Sequence, residues 1–88
     1  MKYTVILIRD FPEFLIGWQG MYILGHFSYK EYAEAALKSE IKLRGGQYGG
    51  ILIEDKLGSH KEIMAISNFG DELKQDELMQ LNFKIEEL

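Results

Sequence analysis

Phe27-Ser28-Tyr29-Lys30-Glu31-Tyr32-Ala33-Glu34-Ala35-Ala36-Leu37-Lys38-Ser39-Glu40-Ile41-Lys42-Leu43-Arg44-Gly45-Gly46 is the stretch that decides the fold, because its start, face and stop can all be read from residue types. Ser28 and Glu31 have the S-x-x-E spacing of a capping box, and Phe27 and Tyr32 that of a hydrophobic staple. Tyr29, Tyr32, Ala33, Ala36, Leu37, Ile41 and Leu43 recur with helical period and define one broad apolar face. Lys30, Glu31, Glu34, Lys38 and Lys42 fall on the other side, with Glu34 and Lys38 in the favourable i,i+4 order. Lys42 and Arg44 suit the negative end of the helix dipole, and Gly45 supplies a left-handed C-terminal residue. The stretch predicts a helix of about four turns.

Glu40 interrupts that face, falling between Ala36 and Leu43 on a helical wheel. A carboxylate there is costly unless paired. It either pairs with Arg44 one turn on, where the helix has cleared the core, or is presented to a ligand or partner.

Working outward, the 88-residue chain is expected to be one domain, residues 1–88, with 47% apolar and 27% charged residues. It has no cysteine, which excludes disulfides and cysteine-based metal or redox sites. The apolar run Tyr3–Ile8 is too short for a signal-peptide core. The uncharged stretch Phe14–Tyr29 falls short of the roughly 18 apolar residues a membrane span requires. A soluble, cytoplasmic protein is the expectation. Net charge is −4, and all of it resides in residues 71–88, since residues 1–70 hold eight acids against eight bases. No basic stripe is present, which argues against direct nucleic-acid binding.

Before the helix, Tyr3-Thr4-Val5-Ile6-Leu7-Ile8 reads as an interior strand, apolar on both alternating faces. Met21–Phe27 reads as a second strand, with Met21, Ile23 and Phe27 on one face and Tyr22, Leu24 and His26 on the other. After the helix, Gly45-Gly46-Gln47-Tyr48-Gly49-Gly50 reads as a flexible connection to a third strand, Ile51-Leu52-Ile53. Asp55–Ser59 has hairpin-turn residues. Lys61–Ser67 is a fourth strand, with Ile63 and Ala65 on one face and Met64 and Ile66 on the other. Asp71 is placed to start a single helical turn. Met79, Leu81, Phe83 and Ile85 alternate with polar residues and predict a fifth strand. The sum is an α+β domain: a mainly antiparallel sheet of about five strands, β-β-α-β-β-β, with one long helix on one face.

Catalytic and metal constellations are missing from this pattern. The glycines of Gly45–Gly50 follow a helix C-terminus, the wrong end of the dipole for a phosphate cradle. His26 and His60 belong to no metal-ligand spacing. Ser59, His60 and Glu62 are the right types for nucleophilic chemistry, but neighbours on a strand point to opposite faces. The chain is expected to be no enzyme and to need no cofactor.

Phe11, Phe14, Trp18, Met21 and Tyr22 put five large side chains within twelve residues. One helix covers only one face of a sheet, so either this segment or another chain must cover the second. Gly17-Trp18-Gln19-Gly20-Met21-Tyr22-Ile23 resembles, with spacing that differs by one, the G-W-x-G-x-G-M-[FY]-I stretch of a small phage protein family that sequesters cyclic nucleotide immune signals. The resemblance covers about seven of the 88 residues. In general character the chain also looks like phage or mobile-element accessory proteins that block a host defence machine.

The resulting expectation is a non-enzymatic interaction module that binds another protein, or itself as a homodimer, through the uncovered sheet face and the aromatic segment. The alternative is a small-ligand, nucleotide-type binding protein that stacks its ligand on Trp18 or Tyr22 with Glu40 or His26 as polar contact. The candidate binding residues are Phe11, Phe14, Trp18, Met21, Tyr22, His26 and Glu40.

Overall fold

The strand predicted at Tyr3 sits inside the sheet. In the computed structural model, which describes residues 2–11, 20–57, 59–74 and 76, β1 (Tyr3–Arg9) pairs with β2 (Tyr22–Phe27) on one side and β3 (Tyr48–Lys56) on the other. β4 (Ser59–Ile66) completes a four-stranded sheet in the order β2-β1-β3-β4, antiparallel throughout. The α+β class holds, and the described residues give four strands in the order β-β-α-β-β where about five, β-β-α-β-β-β, were expected. The stretch expected to form the fifth, Met79 to Ile85, lies outside the described residues, as do Phe14 and Trp18. Nor is there a helical turn at Asp71. Ser67 N–H donates to Asp71 O at 2.8 Å and Leu73 N–H to Ala65 O at 2.9 Å, so this segment spends its backbone groups on β4.

The helix α1 spans Lys30–Leu43. Its N-cap is Tyr29, in extended conformation, and no side chain caps the first turn. The expected capping box is therefore not formed. Strand pairing continues through Phe27, whose carbonyl accepts from Lys2 N–H at 3.2 Å, and this delays the first helical carbonyl to Tyr29, which accepts from Ala33 N–H. Ser28→Ala should accordingly lower the unfolding free energy read from urea melts by no more than a few tenths of a kcal/mol, against the roughly 1 kcal/mol a working cap contributes. The C-terminal end does follow its residues: Gly45 has φ +60° and its N–H bonds Lys42 O.

The buried stripe of α1 is narrow. Ala33, Leu37 and Ile41, four residues apart, are buried against Val5, Leu7, Leu52, Met64 and Ile66. Tyr29, Tyr32 and Leu43, expected on the same face, are exposed. Full burial of a side chain such as Leu37 contributes about 1.5–3 kcal/mol. The approach depends on a residue first read as loop: Gly50 is within β3, where a Cβ would stand 2.5 Å from Leu37 Cδ1 and 2.7 Å from Ile6 O. Gly49 is likewise pressed against the Ile66 carbonyl. The glycine-rich connection is thus shorter than expected, and β3 starts at Tyr48.

Two bulges change which residues face the helix. The register between β1 and β2 slips at Leu24, and that between β3 and β4 at Ile63. Each extra residue reverses the phase of the strand beyond it. Leu24 and Phe27 consequently both pack on the helix side, as does Ile63, against the expected alternation. His26 turns to the other face, where it meets Thr4.

That second face is closed within one chain. Ile8, Phe11, Ile51, Ile53 and Ala65 are buried together, with Ile6 and Leu73 against them. Asp10 adopts φ 54°, a left-handed turn that aspartate tolerates, and its N–H bonds Gln47 O. The chain then turns Phe11 beneath the sheet, where it is 1% exposed. The uncovered sheet face invoked for partner binding and for a homodimer is thus occupied by the protein's own residues.

Candidate functional site

The candidate residues separate into three places. Phe11 is core. Tyr22 and Ile23 open β2, with Met21 just before it, and β2 is an edge strand whose outer side pairs with no other strand among the described residues. Met21 and Ile23 are 46% and 55% exposed. No Lys, Arg, Asp or Glu occurs from Gly20 to Tyr29. The opposite edge differs: β4 carries exposed Lys61 near one end, and residues 71–73 bond to the other. Charge and coverage are how edge strands are ordinarily kept from pairing with foreign chains, and among the described residues β2 has neither.

At the start of β2, Tyr22 joins a cluster assembled by the end of α1. The Arg44 guanidinium lies 5.0 Å from the Tyr22 ring centre and 4.9 Å from that of Tyr48. The two rings meet edge to face at 6.3 Å. Arg44 Nη2 donates to Glu40 Oε1 at 3.1 Å. Glu40 is thus neutralised by its i+4 partner, and that partner is fixed by two aromatic faces, a geometry arginine favours. The structure brings Glu40 and Tyr22 together through Arg44, while Met21 and His26 lie apart from them. At the far end of β2, Tyr29 and Tyr32 form a second edge-to-face pair at 5.7 Å, both exposed.

His26 belongs to a polar chain on the second face. The buried Thr4 hydroxyl donates to Asp55 Oδ2 at 2.5 Å, and Asp55 Oδ1 accepts from His60 Nδ1 at 2.7 Å. With its proton committed, Thr4 Oγ1 is the acceptor for His26 Nδ1, 3.0 Å away. Burial pushes the Asp55 carboxyl up, but the hydrogen bonds from Thr4 and His60, with the charges of the two imidazoles, outweigh it and leave the group below its ordinary value. Both imidazoles are oriented through Nδ1, and no hydroxyl among the described residues bonds their Nε2 atoms. The chain ties the ends of β1, β2, β3 and β4 together. Among the described residues no group of three or more His, Asp or Glu side chains could hold a metal ion, and no helix is long and apolar enough to cross a membrane.

Sequence reasoning gave Arg44 a role only at the helix dipole and as a partner for Glu40, and it gave Tyr48, Thr4 and Asp55 structural places but no part in a site. Thr4 and Asp55 are 51 positions apart, so only the register of β1 on β3 brings them together. No family model, curated protein or solved structure matches this chain.

Proposed function

We propose that this protein is a non-enzymatic interaction module that binds another protein chain along the outer edge of β2, its own second copy being the first such partner. The observation that carries this reading is the contrast between the two sheet edges: β4 is charged and partly covered, and β2 is free of formal charge and pairs on its outer side with no strand among the described residues. A strand added there satisfies the free backbone groups of β2, while Met21 and Ile23 supply apolar contact. Two-fold pairing of β2 with its copy places no formal charge opposite another, since residues 20–29 have none. A six-residue strand buries less than the roughly 1,200–2,000 Å² of a standard interface, so association is expected only at about tens to hundreds of micromolar.

Light scattering after gel filtration over that range tests it. The mass should rise from 10.2 kDa toward twice that value, and Ile23→Lys should hold it at the lower figure. A wild-type mass that stays at one chain throughout, with β2 amides exchanging at the same rate at every concentration, would refute the reading.

A further inference from the structure

Toward the β4 edge of the sheet, between the last turns of α1 and the loop after β4, lies a groove of about 690 Å³. Lys38 and Lys42 line one wall, with Ile41 between them, and Phe69 and Glu72 line the other. The volume lies within the range of small-molecule sites. The two walls are joined: Asn68 Nδ2 donates to Gly46 O at 3.0 Å, across the end of the groove.

Two features distinguish this groove from an ordinary surface cleft. The first is how Phe69 is held. Its loop is fastened by Phe69 N–H and Asp71 N–H to Ser67 Oγ, by Gly70 N–H to Ser67 O, and by Asn68 N–H to Phe11 O at 2.7 Å. A loop so firmly tied nevertheless leaves Phe69 78% exposed, at the rim. The tied backbone holds the Phe69 ring at the rim of the groove, where its face can serve as a stacking platform for a ligand. The second feature is charge. Lys38 and Lys42 sit one turn apart on the same wall, and neither forms an ion pair among the described residues, since Glu34 pairs with Lys30 and Glu40 with Arg44.

The geometry points to a binding site for a small planar anion of the nucleoside monophosphate class. The two ammonium groups take the phosphate, the Phe69 ring stacks on the base, and the Glu72 carboxylate accepts from the amino group of the base. Among the described lining residues, two lysines stand against one carboxylate and leave an excess of positive charge for the anion. The negative end of the α1 dipole also lies here and opposes it, so affinity rests on side-chain charge and is modest and salt-sensitive. Among the described residues this site shares no lining residue with the β2 edge, and it does not depend on the interaction reading above.

The test is titration of the full chain with AMP, GMP, CMP and UMP, followed by amide NMR, with adenosine and inorganic phosphate as partial probes. The expected result is saturable shifts confined to residues 38–46 and 66–72, with dissociation constants of about 10 μM to 1 mM, the range for which a few such contacts suffice. Amino-bearing bases should bind more tightly than UMP, and both partial probes more weakly than any nucleotide that contains them. Phe69→Ala should weaken binding by about fivefold or more, as loss of one stacked base does elsewhere. Lys38→Ala/Lys42→Ala should abolish it. All three side chains are exposed, so the spectra themselves report that the fold is kept. Absence of saturable shifts, or phosphate alone matching the nucleotides with no effect of Phe69→Ala, would overturn the proposal. Shifts confined to β2 would overturn it equally.

Discussion

Phe11→Ala is expected to cost about 3–5 kcal/mol, the range for emptying an aromatic site in a packed core. The ring is 1% exposed and packs with Ile8, Ile51, Ile53 and Ala65 under the face of the sheet that α1 does not reach. Domains of this size have only about 5–15 kcal/mol in total. The loss is compounded by position, because the Phe11 carbonyl also anchors Asn68, and with it the loop that holds Phe69. Urea melts followed by circular dichroism should show a large fall in midpoint or no folded baseline, with Phe11→Leu recovering most of it. An unchanged midpoint in Phe11→Ala would mean that the second face is covered by something other than this ring.

Glu62→Gln should stabilise the protein at neutral and alkaline pH and do little in acid. Glu62 is 2% exposed on the second face, opposite Ile53, and burial pushes its carboxyl from 4.5 up to about 8. The neutral acid is the form the fold accepts, while the unfolded chain prefers the carboxylate. Its contribution is therefore fully present below about pH 4.5 and is lost as pH rises through about 8, by an amount on the order of a few kcal/mol. Asp55 works with the opposite sign: held below its ordinary 3.8, it supports the fold above that value and loses its contribution as pH falls, so the two windows barely overlap. Urea midpoints of wild type and Glu62→Gln at pH 5 and pH 8.5 separate the effect. The difference between the two proteins should open with rising pH. A constant difference would refute the assignment.

How much of this was legible in the residues depends on range. The helix was, because its period, its charges and Gly45 are all local. So was β1 as an interior strand, because apolar residues on both faces admit no other place in a sheet. The helix start was misread because Ser28 and Glu31 satisfy a capping pattern whose use depends on where the preceding strand ends, and that is fixed by Tyr3 pairing with Phe27. The faces of β2 and β4 were misread beyond Leu24 and Ile63, since a bulge leaves no mark in composition. Without the bulge at Ile63, Glu62 would oppose Glu54 on the helix side of the sheet, beyond the last buried residues; with it, the carboxylate stands opposite Ile53 in the core of the second face. The candidate residues fared by the same rule. Glu40 with Arg44 is an i,i+4 pair and could be read directly, whereas the Thr4–Asp55–His60 chain and the groove at Lys38, Lys42 and Phe69 exist only once strands distant in sequence have paired.

The strand order also sets the sequence of events by which the chain folds. β3 and β4 are joined between Lys56 and Ser59, so their hairpin can close on the microsecond scale of a local turn. β1 lies between β2 and β3, and its pairs with β3 reach from Tyr3 to Glu54, across the whole of α1. That closure must meet its entropic cost before any contact rewards it, which makes the insertion of β1 the slow step. Substitutions in β1 such as Val5→Ala or Leu7→Ala should then slow refolding, whereas those confined to the β3–β4 turn, such as Leu57→Ala, should leave its rate nearly unchanged.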